Sequence, residues 1–316
     1  MDRNALLKST CEILHKAKFM VSDTCKIRPS CFDLVARKGF TTLLLKILHN
    51  IDSFQEEQGY NLIKMAKIMN ATPLIIGHRT RNCSIEEGVV YQRHGVLSIN
   101  IDTFEDLILR NIPPLIYADR GGYYVQLDGE TLRRERHKSK ISLGMLGEMI
   151  GVSRRTIYKY EKGMTSATYE TALKIEEIFD TPLVKPVDIL AVPKALDVER
   201  DIPQINDRLE KIAIKKLLDL GFDVVKTEKT PFNALTSKKE VIVLTGISKY
   251  DVQNLKKRIK IVGSISSVLD SEALFIIDTK KKIKPSILDI PLLILEDLFR
   301  LDEADELLEF VYRRKG

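Results

Sequence analysis

At 316 residues, with 44% apolar and 30% charged side chains, the chain is too long for one core and reads as two or three soluble globular domains. The start, MDRNALLKSTCEILHKAK, carries charges throughout, and no apolar run reaches the roughly 18 residues a membrane helix needs, so neither a signal peptide nor a span is expected and a cytoplasmic protein is. A net charge of only +6 excludes a uniformly basic protein, and what matters is where that charge sits.

Residues 3–18 predict an amphipathic helix with Leu6, Leu7, Ile13 and Leu14 as its apolar positions. A strand beginning at Phe19, a second over 32–36 and the apolar run 41–48 follow. An Asn-Ile-Asp turn then leads to a helix over 53–70, and Pro73 opens the strand PLIIG. This order predicts an α/β domain over residues 1–112. GVVYQRHGVLSIN reads as a hairpin and IDTFEDLILR as a short helix begun by Asp102 and stopped before Pro113 and Pro114. LIYADRGGYYVQLD gives two strands about Arg120-Gly121-Gly122, a connector over 113–128. Its basic tip either serves as a wing in a minor groove or the hairpin only docks the module that follows.

That module, residues 129–190, begins with GETLRRERHKSKISLGMLGEMIGVSRRTIYKYEKG. Leu143, Leu146, Ile150, Val152, Ile157 and Tyr160 fall on the inward positions of two short helices and their turn. Gly147 leaves room where the helices cross, Gly151 permits the turn, and Ser153 is a natural N-cap. A helix over 153–162 turns Arg155, Tyr158, Lys159 and Lys162 outward. Arg bonds guanine bidentately, Lys reaches guanine or phosphate, and a Tyr ring touches a thymine methyl. Arg155, Tyr158 and Lys159 are therefore the expected base readers. Ser142, Ser153, Arg154, Thr156 and Lys162 are expected on the DNA backbone or at its edge. Residues 129–163 hold nine Lys or Arg against four Glu, so nearly all the net charge lies in one ninth of the chain, as phosphate neutralisation requires.

Beyond Gly163, Ser166 or Thr168 caps a helix to about Asp180 that closes the small helical core. Prolines 182, 186, 193 and 203 mark a stiff, extended strap, with residues 191–204 as the linker proper. Residues 205–316 then repeat the first order weakly: IAIKKLLDLGFDVV echoes CEILHKAKFMVS, and Phe232 to Leu274 spans the same 42 residues as Phe32 to Leu74. The GVVYQRHGVLSIN segment has no expected counterpart in this second copy. Residues 292–299 and 302–312 read as two closing helices, the second with a solvated acidic face.

SLGMLGEMIGVSRRTIYKYEKG resembles the Cro/repressor (XRE-type) helix-turn-helix, in which the closing Glu pairs with an Arg of the first helix. The resemblance implies that pairing for Glu161 and Arg136 here. The leading GGYYVQLDGETLRRER, the trailing TSATYETALKIEEIFDTPLVKPVDIL and the overall length resemble the archaeal HTH-type transcriptional regulators. FDLVARKG…LLLK is similar to the central hairpin of the restriction-endonuclease-like superfamily, where an Asp and a following Glu-x-Lys hold a divalent metal. Asp33 and Lys46 match two of those positions, but Leu44 stands at the Glu. In the second copy Asn233 replaces the Asp, and Thr245 or Gly246 the Lys. Glu12 on the first helix is the one other carboxylate that could serve.

The expected fold is multidomain α/β plus all-α: a central Cro-like helix-turn-helix domain between two related restriction-endonuclease-like α/β domains with a degenerate active site. The four cysteines lack metal spacing and are expected reduced, and the five histidines are scattered, so no metal and no cofactor is expected. The function expected is a sequence-specific DNA-binding regulator and not an enzyme, with double-stranded DNA as partner. A homodimer on a near-palindrome is expected, no membrane partner, and room for an effector or a transcription-machinery partner. The alternatives are a metal-dependent nuclease and a non-specific architectural DNA-binding protein.

Overall fold

A computed structural model describes residues 1–25, 30–193, 207–239 and 241–314. Most of the expected linker, from 194 onward, lies outside the described residues. The chain forms two compact units that do not follow the sequence: Met1–Ile13, Leu48–Phe54 and Ile75–Ile189 make one, and Leu14–Ile47, Gln55–Leu74 and Leu190–Gly316 the other.

Helix α1 (Arg3–Lys16) buries Leu6, Ile13 and Leu14, as its spacing predicts, and is followed by β1 (Met20–Val21). Strands β2 (Leu34–Lys38) and β3 (Thr41–Asn50) pair antiparallel, with Leu34 opposite Leu45 and Val35 opposite Leu44. The next helix, α2 (Glu56–Ile68), does not begin at Ser53 as the sequence suggests. Asn50 accepts from the Asp52 N–H at 2.9 Å and Ser53 donates back to the Asn50 carbonyl at 2.7 Å, so 51–53 closes as a separate 3-10 turn. Gln55 caps α2 instead, in a reciprocal capping box with Gln58. β4 (Thr72–Arg79) follows.

The hairpin β5 (Val89–Arg93) and β6 (Val96–Ile99) forms as expected around a two-residue turn, His94-Gly95, with φ of 49° and 80°. Helix α3 (Ile101–Glu105) is capped by Asn100, whose side chain accepts from Thr103 N–H at 2.8 Å, and not by Asp102, which lies inside the first turn. It runs into a π-helical turn that ends at Asn111 in the left-handed conformation. β7 (Ile116–Asp119) pairs parallel with β5 and antiparallel with β8 (Gly122–Leu127). From β4 to β8 the strands lie side by side in the order β4-β6-β5-β7-β8.

Helices α4 (Gly129–Lys138), α5 (Leu143–Ile150) and α6 (Arg154–Glu161) then pack together, with β9 (Ala167–Thr168) and α7 (Tyr169–Phe179) closing the group. Thr168 is the cap of α7, and β10 (Val184–Lys185) returns to pair with β8. The shared core holds Leu132, Leu146, Ile150, Ile157, Tyr160, Ala172 and Ile175, and also Val125 and Leu127 from β8. The hairpin is thus part of the helical module's own core, because two of its alternate side chains fill it. Fully burying a side chain such as Leu146 or Ile157 contributes about 1.5–3 kcal/mol.

In the other unit, α8 (Arg208–Asp219) leads to β11 (Asp223–Lys226), β12 (Ala234–Lys238), β13 (Val241–Lys249), α9 (Val252–Leu269) and β14 (Glu272–Asp278). β15 (Ser286–Ile287), β16 (Ile290–Ile294), α10 (Leu295–Leu298) and α11 (Ala304–Arg314) complete it. The sheet order is β11-β12-β13-β14-β16-β15. Two expectations fail here. Residues 292–294 are strand, pairing parallel with Phe275–Ile277, and only 295–298 of the expected helix is helical. The hairpin β15–β16 followed by α10 is the counterpart of β5–β6 followed by α3, a segment not expected in this copy. Its turn, Leu288-Asp289, repeats the two positive φ values, 49° and 62°, without any glycine to announce them.

The relation between the two α/β copies is a shift of 200 in residue number. Leu34 faces Leu45 and Ala234 faces Thr245; Val35 faces Leu44 and Leu235 faces Leu244. The Asp33 side chain accepts from Ile47 N–H at 2.8 Å, and Asn233 accepts from Ile247 N–H at 2.7 Å.

Candidate nucleic-acid interface

The α5–α6 pair is built by local rules. Ser142 caps α5 by accepting from Met145 N–H at 3.1 Å, and Ser153 caps α6 by accepting from Thr156 N–H at 3.1 Å, with the Thr156 hydroxyl 2.8 Å from Ser153 Oγ. Gly151 ends α5 at φ 77°, the left-handed conformation that a Cβ disfavours. A Cβ on Gly147 would lie 2.6 Å from the Val152 carbonyl oxygen, so only glycine lets the turn cross the helix there. The sequence also conceals a second close approach: a Cβ on Gly129 would lie 2.3 Å from the Glu161 carbonyl oxygen. Arg136 holds the end of α6 against α4. Its Nε and Nη2 donate to the two Glu161 carboxylate oxygens at 2.6 and 3.1 Å, and Nη1 donates to the Ile141 carbonyl at 2.9 Å. Both side chains are buried, so this is a structural pair.

Ile157 and Tyr160 face inward, while Arg154, Arg155, Tyr158, Lys159 and Lys162 are exposed and Thr156 is half-buried at the N-terminal edge. Among the described residues none of Arg154, Arg155, Lys159 and Lys162 is in an ion pair, whereas Arg134, Arg136, Lys138 and Lys185 of the same module each are. Two neighbouring cations hold Glu135 below the ordinary carboxylate range: Lys138 first, then Arg134, each by a hydrogen bond. A groove of about 670 Å³ runs beside this face, lined by Ser142, Arg154, Tyr158 and Lys162 together with Arg133 and His137. Sequence reasoning missed those last two. Their i, i+4 spacing on α4, beside Arg136, was the available signal.

The tip of the β7–β8 hairpin, Arg120-Gly121, is exposed. The strand behind it contributes Val125 and Leu127 to the helical core.

The nuclease-like centre has a different character. Asp33 and Lys46 are buried, with Nζ 3.7 Å from Asp33 Oδ2, and Lys46 also donates to the Ser30 carbonyl. Leu44 is buried where a second carboxylate would be needed, and the equivalent Leu244 repeats it. Glu12 is on the exposed face of α1, pairing with Lys8 at 3.8 Å, and supplies nothing. A hard divalent cation needs several oxygen ligands, and these residues do not fit one. No group of three His, Cys, Asp or Glu with metal-binding geometry occurs among the described residues. The thiol of Cys31 is pushed up to about 12 by burial, with Lys46 and Lys229 pulling it partly back.

Residues 132–185 match a helix-turn-helix family and residues 3–114 a PD-(D/E)XK superfamily domain. The chain is 40% identical over 321 residues to a protein of Methanocella arvoryzae named as an HTH-type transcriptional regulatory protein, covering 100% of this chain and 98% of the relative. It is 41% identical over 313 residues to a likewise named protein of Methanocaldococcus jannaschii, covering 98% and 96%. With that of Archaeoglobus fulgidus it shares 38% over 309 residues, covering 97% of each. No solved structure matches the chain. No helix among the described residues is long and apolar enough to cross a membrane.

Proposed function

The chain belongs to the archaeal family of HTH-type transcriptional regulatory proteins, and we propose that it reads double-stranded DNA sequence-specifically through the outer face of α6. The observation that carries this reading is the set of four cations on α6 and its C-terminal cap that are exposed and outside any ion pair among the described residues. Such a face, kept free of acidic partners, suits phosphates and guanine edges. Arg155, Tyr158 and Lys159 read bases. Arg154, Thr156 and Lys162 hold phosphates, with Ser142 and Ser153 presenting the N-terminal amides of α5 and α6 to the backbone.

One helix-turn-helix reaches few base pairs, and two related by a two-fold axis place their recognition helices in half-sites ~34 Å apart. The protein accordingly acts in the cytoplasm as a homodimer on a near-palindromic operator. Any effector or transcription-machinery partner is additional to this. It does so without cleaving DNA, because leucine stands at the second-carboxylate position of both nuclease-like copies.

Selection from a random duplex library by the full-length protein at physiological salt tests the reading. A spaced, near-palindromic motif is the expected recovery. Bound DNA without a motif would replace sequence reading by architectural binding, and Mg- or Mn-dependent cleavage lost on Asp33→Ala would make the protein a nuclease.

A further inference from the structure

Position 46 of the first α/β copy corresponds to Gly246 in the second, and Gln58 to Arg258. The two centres have solved one problem with different residues. In the first, the Lys46 ammonium stands 3.7 Å from Asp33 Oδ2 and donates to the Ser30 carbonyl of the loop before β2. In the second, the Phe275 ring fills the space over Gly246, where a Cβ would lie 2.3 Å from it. The cation comes instead from α9. Arg258 Nη2 donates to Asn233 Oδ1 at 2.6 Å and its Nε donates to the Pro231 carbonyl at 3.0 Å, with the guanidinium 5.4 Å from the Phe275 centroid. Glu210, accepting from the Asn233 amide, supplies the charge that Asn233 lacks. Each copy therefore places one of its own cations, buried Lys46 or half-buried Arg258, against the oxygen at position 33 or 233 and the carbonyl of the loop just before it.

The copies also meet at those two loops. Phe32 and Phe232, equivalent residues and both buried, pack with ring centroids 6.4 Å apart. Cys31 N–H donates to the Lys229 carbonyl at 2.9 Å, and Lys229 Nζ reaches Glu57 at 3.2 Å. Equivalent residues touching each other is the mark of a two-fold, self-complementary interface. Here both halves belong to one chain. The symmetry is broken where Pro231, which has no N–H, stands opposite the role of Cys31.

We propose that the two degenerate nuclease centres are the clamps of an internal dimer. Lys46, at the position of the nuclease lysine, and Arg258, which takes that lysine's part in the second copy, fix the loops 30–33 and 229–233 in the shape that docks Phe32 on Phe232. The face a homodimer of such domains would use is thereby closed within each chain, and contacts between chains must come from other surfaces. This inference stands independently of which DNA the helical module reads.

Zero-length carbodiimide crosslinking of Lys229 to Glu57 in a mixture of heavy- and light-isotope full-length chains is the test. The crosslinked peptide is expected to be isotopically unmixed. Lys46→Met and Arg258→Met are each expected to lower its yield toward that of a Glu57→Gln control, with helix content unchanged. Isotopically mixed crosslinks, or undiminished yield in both variants, would overturn the proposal. Should either variant not fold, hydrogen exchange of the Cys31 amide in the unaltered protein decides: slow exchange is expected, and exchange as fast as an exposed loop amide refutes the docking.

Discussion

Gly144 and Gly147 are neighbours on α5 with opposite surroundings, and replacing each by alanine separates helix propensity from helix crossing. At Gly144 the nearest atom to an added Cβ is Ser142 Oγ at 3.9 Å, so nothing resists the substitution. Alanine there gains up to ~1 kcal/mol of helix stability. At Gly147 the same Cβ meets the Val152 carbonyl oxygen at 2.6 Å and the Arg154 nitrogen and Ser153 carbonyl carbon at 3.3 Å, inside the 3.4 Å at which ordinary contact begins. These are backbone atoms of a turn held by Gly151 on one side and the Ser153 cap on the other, so the overlap is relieved only by moving α6 away from α5. Overpacking of this kind costs ~1–3 kcal/mol, and against backbone we take the upper end. Less the propensity gain of ~1 kcal/mol, Gly147→Ala should destabilise the module by about 2 kcal/mol. Native-state hydrogen exchange of the Ile157 and Tyr160 amides reads this locally, free of the other unit's unfolding. Protection should rise or hold in Gly144→Ala and fall about thirtyfold in Gly147→Ala, since each 1.4 kcal/mol is tenfold. Equal protection in the two variants would mean that the helices do not cross as closely as the geometry requires.

Arg155→Ala should weaken binding to the selected operator by ~1–3 kcal/mol and relax one base position, whereas Lys162→Ala should weaken all sequences alike and reduce the salt slope by ~0.9, both read by titration across salt concentrations. Arg136→Met leaves the buried Glu161 carboxylate unpaired and should cost ~3–5 kcal/mol in unfolding experiments, with much of it returned by adding Glu161→Leu; a double variant as unstable as the single would show that the charge is not the cause. Leu288→Asn should raise stability by about 1 kcal/mol, because the leucine is exposed at φ 49°, a conformation asparagine tolerates. Native alkylation should modify exposed Cys83 first, then half-buried Cys11, and Cys31 last. Because burial raises the Cys31 thiol from 9.0 to about 12, its contribution to stability is complete below pH 9. It is lost as pH climbs toward 12, where the unfolded thiol ionises and the native one does not, a decline that denaturation at graded alkaline pH would detect.

The helix-turn-helix was legible in the sequence because everything that specifies it is local. Two serine caps, a left-handed glycine and the inward Leu146, Ile150, Ile157 and Tyr160 lie within about one turn-helix of one another, and 3.6-residue periodicity sorts the exposed cations without reference to the rest of the fold. The shift of 200 between the copies was equally visible, since strand spacing survives where side chains have changed. What the tertiary structure alone decided is non-local. The run Pro291–Leu295 is apolar and short, and such a run reads as helix or buried strand alike until a partner is known; β14 supplies that partner and makes it strand. The hairpin before it is not legible in residue order because its turn places a leucine, not a glycine, at positive φ. The position of Val125 and Leu127 in the helical core, and the arrival of Arg258 from α9 at the place of a missing lysine, depend on segments brought together by the sheet. Short-range geometry is written in residue order, whereas the cation that fills a buried centre is chosen by whichever element the fold carries past it.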